Sequence, residues 1–174
     1  MPVYELNHRR PRIDPTVVVD DSATIIGDVI IGAGSSIWPN AVLRGDSGVI
    51  RIGRNVNIQD NVVMHAETGK AVVVGDNVSV GHGAILHGCK IGNNVVIGMG
   101  SIVMDGASIE DWVIVGAGAV VTQNTFIVSK NVVLGIPGRA TGHISDEQRE
   151  YIEKNAQEYL QLAKEYLETK KRLR

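Results

Sequence analysis

The spacing of aliphatic residues constrains this chain most strongly, because they return every six positions along most of its length. An amphipathic helix repeats near 3.6 residues and an exposed strand near 2, so neither explains a period of six. The period predicts short strands separated by regular corners, as in a solenoid. The repeated positions are Ile25, Ile31, Ile37, Leu43, Ile52, Ile58, Met64, Val74, Val80, Leu86, Ile91, Ile97, Val103, Ile109, Val115, Val121 and Ile127.

The neighbours of these aliphatic residues indicate which way they point. The residue two positions earlier is usually small or apolar, as in Ala41, Val62 and Ala84, and the following residue is often glycine. Glycine permits tight bends. The aliphatic side chains are therefore expected to fill a narrow core, which leaves little room for large rings and suits a chain that is only 4% aromatic.

The pattern resembles the hexapeptide-repeat left-handed β-helix. That resemblance implies a mainly β fold, a left-handed parallel β-helix of hexapeptide repeats with three strands per coil. Neither the handedness nor the number of strands follows from the period itself. Crossovers between parallel strands are normally right-handed, so general rules alone would predict the opposite hand.

Three segments follow from the pattern. Residues 1–20 are expected to form an irregular lead-in, residues 21–140 the β-helix, and residues 141–174 a C-terminal α-helix packed on it. Ser145 and Gln148 have the spacing of a capping box, which predicts the start of that helix. An apolar stripe at helical spacing is expected to cover one side of the solenoid. It comprises Ile152, Ala156, Tyr159, Ala163, Tyr166 and Leu167.

Composition excludes several classes of protein. The 174 residues suit one domain, and a net charge of −2 lacks the basic excess that is typical of nucleic-acid-binding proteins. No stretch approaches the roughly 20 apolar residues that span a bilayer, and the N-terminus lacks a signal-sequence pattern, so we expect a cytoplasmic protein. Cys89 is the single cysteine and is expected to be a core thiol. The basic residues Lys170, Lys171, Arg172 and Arg174 fit a helix C-terminus better than a membrane or nucleic-acid patch.

Departures from the six-residue period bring polar residues into register. The steps Leu43 to Ile52 and Met64 to Val74 are three and four residues too long. With those insertions removed, Arg44 to His65 is 21 − 3 = 18 residues and His65 to His87 is 22 − 4 = 18. We therefore expect Arg44, His65 and His87 to form one outward-facing column on successive coils.

Two of these residues have the spacing of metal ligands. Adjacent rungs lie about 4.8 Å apart, and zinc takes histidine nitrogens at roughly 2.0–2.1 Å, so His65 and His87 can hold one ion between them. His82 lies one strand earlier and should face another side of the prism. A neighbouring copy could contribute it, which predicts metal sites shared between subunits and, for a closed ring of three-sided prisms, a trimer. Plain surface or interface histidines remain the alternative.

The motifs Arg44-Gly45-Asp46, Gln59-Asp60, the isolated His65 and the run from His82 to Cys89 resemble γ-class carbonic anhydrases over nearly the whole chain. The resemblance implies a homotrimer in which His65 and His87 of one subunit and His82 of the next hold each metal ion. It implies reversible hydration of carbon dioxide to bicarbonate by metal-bound hydroxide. Zn²⁺ is expected, with Fe²⁺ or Co²⁺ possible because imidazole ligands suit all three.

The resemblance also implies roles for five further residues. Gln59 would orient the hydroxide, and Arg44, Asp46 and Asp60 would form an interfacial charge network, for which a purely structural bridge between subunits is the alternative. Asp60 lies one coil from His82, where it could fix that ligand's tautomer. Tyr159, on the helix, matches a family position near the metal, although core packing explains it equally well.

One departure from the family concerns proton transfer. Founding members carry a long acidic loop after the first histidine, whereas here only Ala66-Glu67-Thr68-Gly69-Lys70 lies between His65 and the next part of the repeat. Glu67 is the one acidic residue in this loop. Because fast turnover requires the proton to reach buffer, the short loop predicts slower catalysis.

Two other classes of function stay open at the level of sequence. Hexapeptide acyltransferases share the fold and bind acyl-coenzyme A, and a metal-dependent thioesterase would use the same nucleophile on a coenzyme A ester. The fold also suits an inactive structural trimer. A coenzyme A titration and a metal determination separate these classes.

Overall fold

The computed structural model describes residues 2–171 and 173 of the chain. They form a parallel β-solenoid with three faces, followed by one long helix, and the predicted left-handed β-helix with a C-terminal helix is confirmed. All seventeen of the repeated aliphatic residues identified from the six-residue spacing are at most 5% exposed and form a continuous core. Cys89 is buried among them as predicted, and desolvation raises the pKa of its thiol to about 12.

Two of the three faces, called A and B, form one sheet because two long strands turn the corner between them. These are β4 (Thr24–Ile31) and β6 (Val42–Ile52). Face A also contains β1 (Val3–Tyr4), β8 (Val63–His65), β11 (Ile85–His87), β14 (Ile102–Val103) and β17 (Val120–Val121). Face B also contains β2 (Arg12–Ile13), β9 (Ala71–Val74), β12 (Lys90–Ile91), β15 (Ser108–Ile109) and β18 (Phe126–Ile127).

Face C is the second sheet and ends in an antiparallel strand. It consists of β3 (Val18–Val19), β5 (Ser36–Ile37), β7 (Asn57–Ile58), β10 (Ser79–Val80), β13 (Val96–Ile97), β16 (Ile114–Val115), β19 (Asn131–Leu134) and β20 (Arg139–His143). Asparagine occupies left-handed backbone positions at several corners, where it is tolerated better than most residues. Asn55, Asn77 and Asn94 stack there through side-chain hydrogen bonds of 3.1 and 3.2 Å.

The N-terminal segment differs from the irregular lead-in expected for residues 1–20. Strands β1, β2 and β3 each pair in parallel with the next coil, for example through Val3 with Ile25 and Val18 with Ser36. The prolines and the irregular spacing before Ile13 obscured this pairing, although Ile13 and Val19 extend the six-residue repeat back from Ile25. The first coil therefore begins before residue 21.

Helix α1 (Asp146–Thr169) begins at the predicted capping box and packs on face C against β3, β5, β7 and β10. Ile152, Ala156 and Ala163 are buried, whereas Tyr166 and Leu167 at the end of the predicted stripe are exposed. The last turn contains no basic residue; Lys170 follows as C-cap and its ammonium pairs with Asp20. Arg172 and Arg174 of the basic cluster lie outside the described residues. No helix in the described part of the chain has the length and apolarity of a bilayer span.

Candidate metal centre

The predicted column of polar residues forms at the edge between faces A and B. Arg44 pairs in register with His65, and His65 with His87, on strands β6, β8 and β11. His65 Nδ1 lies 3.0 Å from His87 Nε2, and the two ring centroids are 5.1 Å apart. Two nitrogens bound to one tetrahedral zinc ion would be about 3.3 Å apart, so the spacing fits a shared ion closely.

Each ring of this pair is held by a carboxylate on its outer nitrogen. Asp46 Oδ1 lies 3.0 Å from His65 Nε2, and Asp105 Oδ2 lies 2.7 Å from His87 Nδ1. An ionised carboxylate only accepts hydrogen bonds, so both outer nitrogens donate. When both rings are neutral, each carries one N–H and the two inner nitrogens face each other with lone pairs; when either ring is protonated, the same contact is an N–H···N hydrogen bond. The neutral arrangement suits a cation between them.

Asp46 is fixed by several donors besides His65. Arg44 forms an ion pair with it, and the Ser47 N–H donates to Oδ1 at 2.7 Å. Burial by itself raises the pKa of Asp46, but the hydrogen bonds from Arg44, Ser47 and His65 outweigh burial and lower the pKa to about 2. Arg9 also donates to the Asp46 carbonyl at 3.1 Å. Asp46 is thus ionised at neutral pH and can orient His65.

The third histidine lies at the other edge of face A, next to face C. His82 Nδ1 is 2.7 Å from Asp60 Oδ2, as expected for residues one coil apart. The His82 backbone N–H donates to Gln59 Oε1 at 3.2 Å, and Gln59 Nε2 donates to Asn57 Oδ1 at 2.9 Å. Asp60 therefore leaves His82 Nε2 as a free lone pair on a side chain that is 46% exposed.

Tyr159 reaches this second edge from α1. Its ring packs edge-on against Trp38 with a centroid separation of 5.5 Å, so the packing role considered for it is present. Burial raises the pKa of its phenol first, and the charge of Asp60 raises it further. Gln59, His82 and Tyr159 line a common groove of about 340 Å³ between the helix and face C.

The site residues thus fall into two groups, one on each edge of face A. We call Arg44, Asp46, His65, His87 and Asp105 the histidine-pair half-site, and Gln59, Asp60, His82 and Tyr159 the single-histidine half-site. Within one chain, residues 2–171 and 173 contain no group of three His, Cys, Asp or Glu side chains able to hold a metal ion. Among these residues, His82 is thus not grouped with His65 and His87.

The donor set fits a divalent ion such as zinc. All three histidines are oriented by a carboxylate on one ring nitrogen, the arrangement usual for histidines that bind metals. Each presents its other nitrogen as a lone pair. Three neutral imidazoles would leave one position of a tetrahedral ion open for a further ligand.

Sequence reasoning missed Asp105 and Lys70. Leu86 pairs with Val103, which puts Asp105 in register with Gly88, the residue after His87. A Cβ at Gly88 would stand 2.4 Å from Asp105 Oδ1, so only glycine leaves room for this carboxylate. Register counting carried one coil beyond Gly88, the neighbour of His87, would have found Asp105. The contact of Lys70 with Asp105 at 3.0 Å crosses 35 residues and carries no such signal.

Comparison with known proteins agrees with the fold. The family model for bacterial transferase hexapeptide repeats (six repeats) matches residues 10–45 and 88–123. Gamma carbonic anhydrase 2 of Arabidopsis thaliana mitochondria is 43% identical over 161 residues, 89% of this chain and 58% of that protein. The chain thus spans less than two thirds of the length of this plant relative. The carnitine operon protein CaiE of Escherichia coli K12 is 41% identical over 162 residues, 93% of this chain and 83% of that protein.

Solved structures show the same architecture. A hexapeptide transferase family protein from Anaplasma phagocytophilum matches with a TM-score of 0.92 and 38% identity, covering 95% of this chain and 98% of that one. A Bacillus cereus protein proposed to be an acetyltransferase matches with a TM-score of 0.93 and 36% identity, covering 94% and 95%. From the repeat and these relatives, the chain belongs to the family of hexapeptide-repeat proteins, and it is similar to gamma carbonic anhydrases and to CaiE.

Proposed function

We propose that this protein is a γ-carbonic anhydrase-like metalloenzyme that hydrates carbon dioxide reversibly to bicarbonate. The observation that carries the proposal is the pair of inner nitrogens, His65 Nδ1 and His87 Nε2, which face each other at 3.0 Å while carboxylates hold their outer nitrogens. We infer that His82 of a neighbouring subunit is the third ligand. Zn²⁺ is the expected ion, with Fe²⁺ or Co²⁺ as alternatives.

An exposed apolar column supports assembly through face A. Val63 and Ile85 are 39% and 37% exposed on adjacent strands, between the two edges that hold the half-sites. Exposed apolar surface of this kind is typical of contacts between proteins. A homotrimer with cyclic symmetry would bring the single-histidine edge of each copy to the histidine-pair edge of the next.

The residues of the chain have separate tasks in this proposal. A bound divalent ion lowers the pKa of water so that a hydroxide nucleophile exists near neutral pH. Asp46, Asp60 and Asp105 orient the three imidazoles. Arg44 holds Asp46, and Gln59 keeps one amide N–H beyond its bond to Asn57, which can orient the attacking oxygen. Tyr159 lines the groove beside His82.

The short loop predicts slow proton release. Glu67 is the acidic residue between His65 and Lys70, and its carboxylate is bound to Lys70 at 3.0 Å instead of standing free. Buffer is therefore expected to take the proton directly, and the rate should rise with buffer concentration.

Stopped-flow hydration of carbon dioxide on anaerobically purified, metal-quantified protein tests this function. We expect metal-dependent hydration that His82→Ala abolishes together with metal binding. Full metal occupancy in His82→Ala would contradict the shared site, and bound metal without hydration would contradict the reaction.

A second candidate is hydrolysis of a coenzyme A ester by the same nucleophile. The groove beside His82 favours it, because about 340 Å³ lined by Gly98, Met99 and Ala117 exceeds what carbon dioxide needs. The similarity of the chain to a hexapeptide transferase family protein also favours a coenzyme A ester as substrate. Acyl-coenzyme A hydrolysis assayed on the same metal-loaded samples decides between the two, since only a thioesterase releases free thiol.

A further inference from the structure

His87 is connected to the surface by an unbroken chain of polar contacts. Its Nδ1 lies 2.7 Å from Asp105 Oδ2, and Asp105 Oδ1 accepts from Lys70 Nζ at 3.0 Å. Lys70 Nζ also donates to Glu67 Oε2 at 3.0 Å. The side chains become more exposed along this path, from 17% for Asp105 to 43% for Lys70 and 63% for Glu67.

The geometry leaves Asp105 few alternative positions. One carboxylate oxygen is bound to His87 and the other to Lys70, so rotation of the carboxylate would break both contacts. Gly88 leaves the space in which Asp105 stands, because a Cβ there would lie 2.4 Å from Oδ1. Lys70 is itself placed by the turn of the loop, in which its N–H donates to the Glu67 carbonyl at 3.0 Å.

We propose that Asp105, locked by Lys70, is a positioning residue that fixes the tautomer and orientation of His87. Through this contact the loop of residues 66–70 controls how well the histidine pair binds a metal. The inference rests on the proposed metal site for its consequence, but the fixed tautomer is a property of the metal-free protein. In this role the short loop holds, through Lys70, the carboxylate that orients His87.

The first test uses the metal-free protein and nitrogen NMR of the histidine rings. We expect His87 to be protonated at Nδ1 in the wild type and to become a tautomer mixture in Asp105→Ala. Asp105→Asn, which keeps an oxygen acceptor and the side-chain shape, should retain most of the Nδ1-protonated form. An unchanged His87 tautomer in folded Asp105→Ala would overturn the proposal, whatever the protein does with metals.

The second test measures Co²⁺ and Zn²⁺ affinity by chelator competition, with the visible absorption of bound Co²⁺ as a report on geometry. Asp105→Ala should weaken binding about 10- to 100-fold, the usual effect of removing a carboxylate behind a metal-bound histidine. Lys70→Met should weaken it less. Because Lys70 acts through Asp105, Lys70→Met should have no further effect when combined with Asp105→Ala.

Glu158→Gln is the control, since it removes one exposed carboxylate, paired with Lys154 on α1, that lies outside both half-sites. We expect its affinity to stay within about twofold of the wild type. Wild-type affinity in Asp105→Ala, or equal and additive effects of Lys70→Met in both backgrounds, would refute the positioning role. A wild-type protein that binds no metal would instead refute the proposed function while leaving the NMR test intact.

Discussion

The two half-sites are built in different ways. In the histidine-pair half-site, neighbouring rungs hold both rings in register, and two carboxylates with their own cations, Arg44 and Lys70, lock them. In the single-histidine half-site, His82 projects from a corner, and among the described residues its carboxylate Asp60 forms no ion pair with a lysine or arginine. The pair is thus preorganised within one chain, while the single histidine is 46% exposed, as the proposed completion by another copy requires.

A subunit-mixing experiment tests most directly whether the two half-sites complete each other across subunits. His82→Ala lacks one half of each site and the double variant His65→Ala/His87→Ala lacks the other, so each alone should bind no metal. In a ring of three, every mixed trimer contains one intact junction. Random 1:1 mixing should therefore restore roughly one quarter of the wild-type metal. Unfolding, mixing and refolding followed by metal analysis measures this; no recovery would mean that the half-sites do not meet across subunits.

A substitution on face A tests the proposed subunit contact, because this face lies between the two half-sites. Ile85→Asp puts a charge into the exposed apolar column and should weaken assembly by about 30-fold or more, as for a hot-spot residue. Metal should be lost with the trimer. Sedimentation velocity across a concentration series measures the change. Phe126→Asp on face B, where Phe126 is 59% exposed, should leave the assembly intact.

Asp60→Ala tests how much the carboxylate behind His82 contributes to metal binding. Loss of the hydrogen bond to His82 Nδ1 should weaken metal binding by about 10-fold, the lower end for such residues, because Asp60 is already partly open to solvent. Chelator competition with Zn²⁺ measures it. Glu158→Gln, on the exposed side of α1, should have no effect, and an equal loss there would indicate a general change of the fold.

The smallest effect concerns the helix that covers only the single-histidine half-site. Lys170 pairs with Asp20 at the end of α1, and Lys170→Met should lower the free energy of unfolding by about 1 kcal/mol or less. Burial raises the pKa of Asp20, but hydrogen bonds from Lys170 and Ser22 outweigh it and lower the pKa. The contribution is therefore present above the ordinary pKa of aspartate and disappears as pH falls through the lowered value. Thermal unfolding at several pH values tests this, and a difference that persists in strong acid would contradict it.

Several parts of the centre were predictable by counting. The period of six located the core, and subtraction of the insertions brought Arg44, His65 and His87 into one column, as the pairing of β6, β8 and β11 confirms. Asp60 was likewise expected beside His82, which it contacts at 2.7 Å. These predictions succeeded because a solenoid converts distance along the chain into position in space by a fixed rule.

Contacts outside that rule needed the tertiary structure. The pairing of β1 with the first full coil lies outside the six-residue repeat, and the reach of Lys70 to Asp105 depends on how a loop folds back. The contact of Asp46 with His65 also became apparent only in three dimensions, because Asp46 lies in the insertion that follows Leu43. Sequence by itself thus determined the solenoid and the register of the ligands, because backbone pairing repeats along the chain. Tertiary structure decided the hydrogen bonds that orient the rings and lock the carboxylates, because these depend on side chains meeting across corners where the repeat is interrupted.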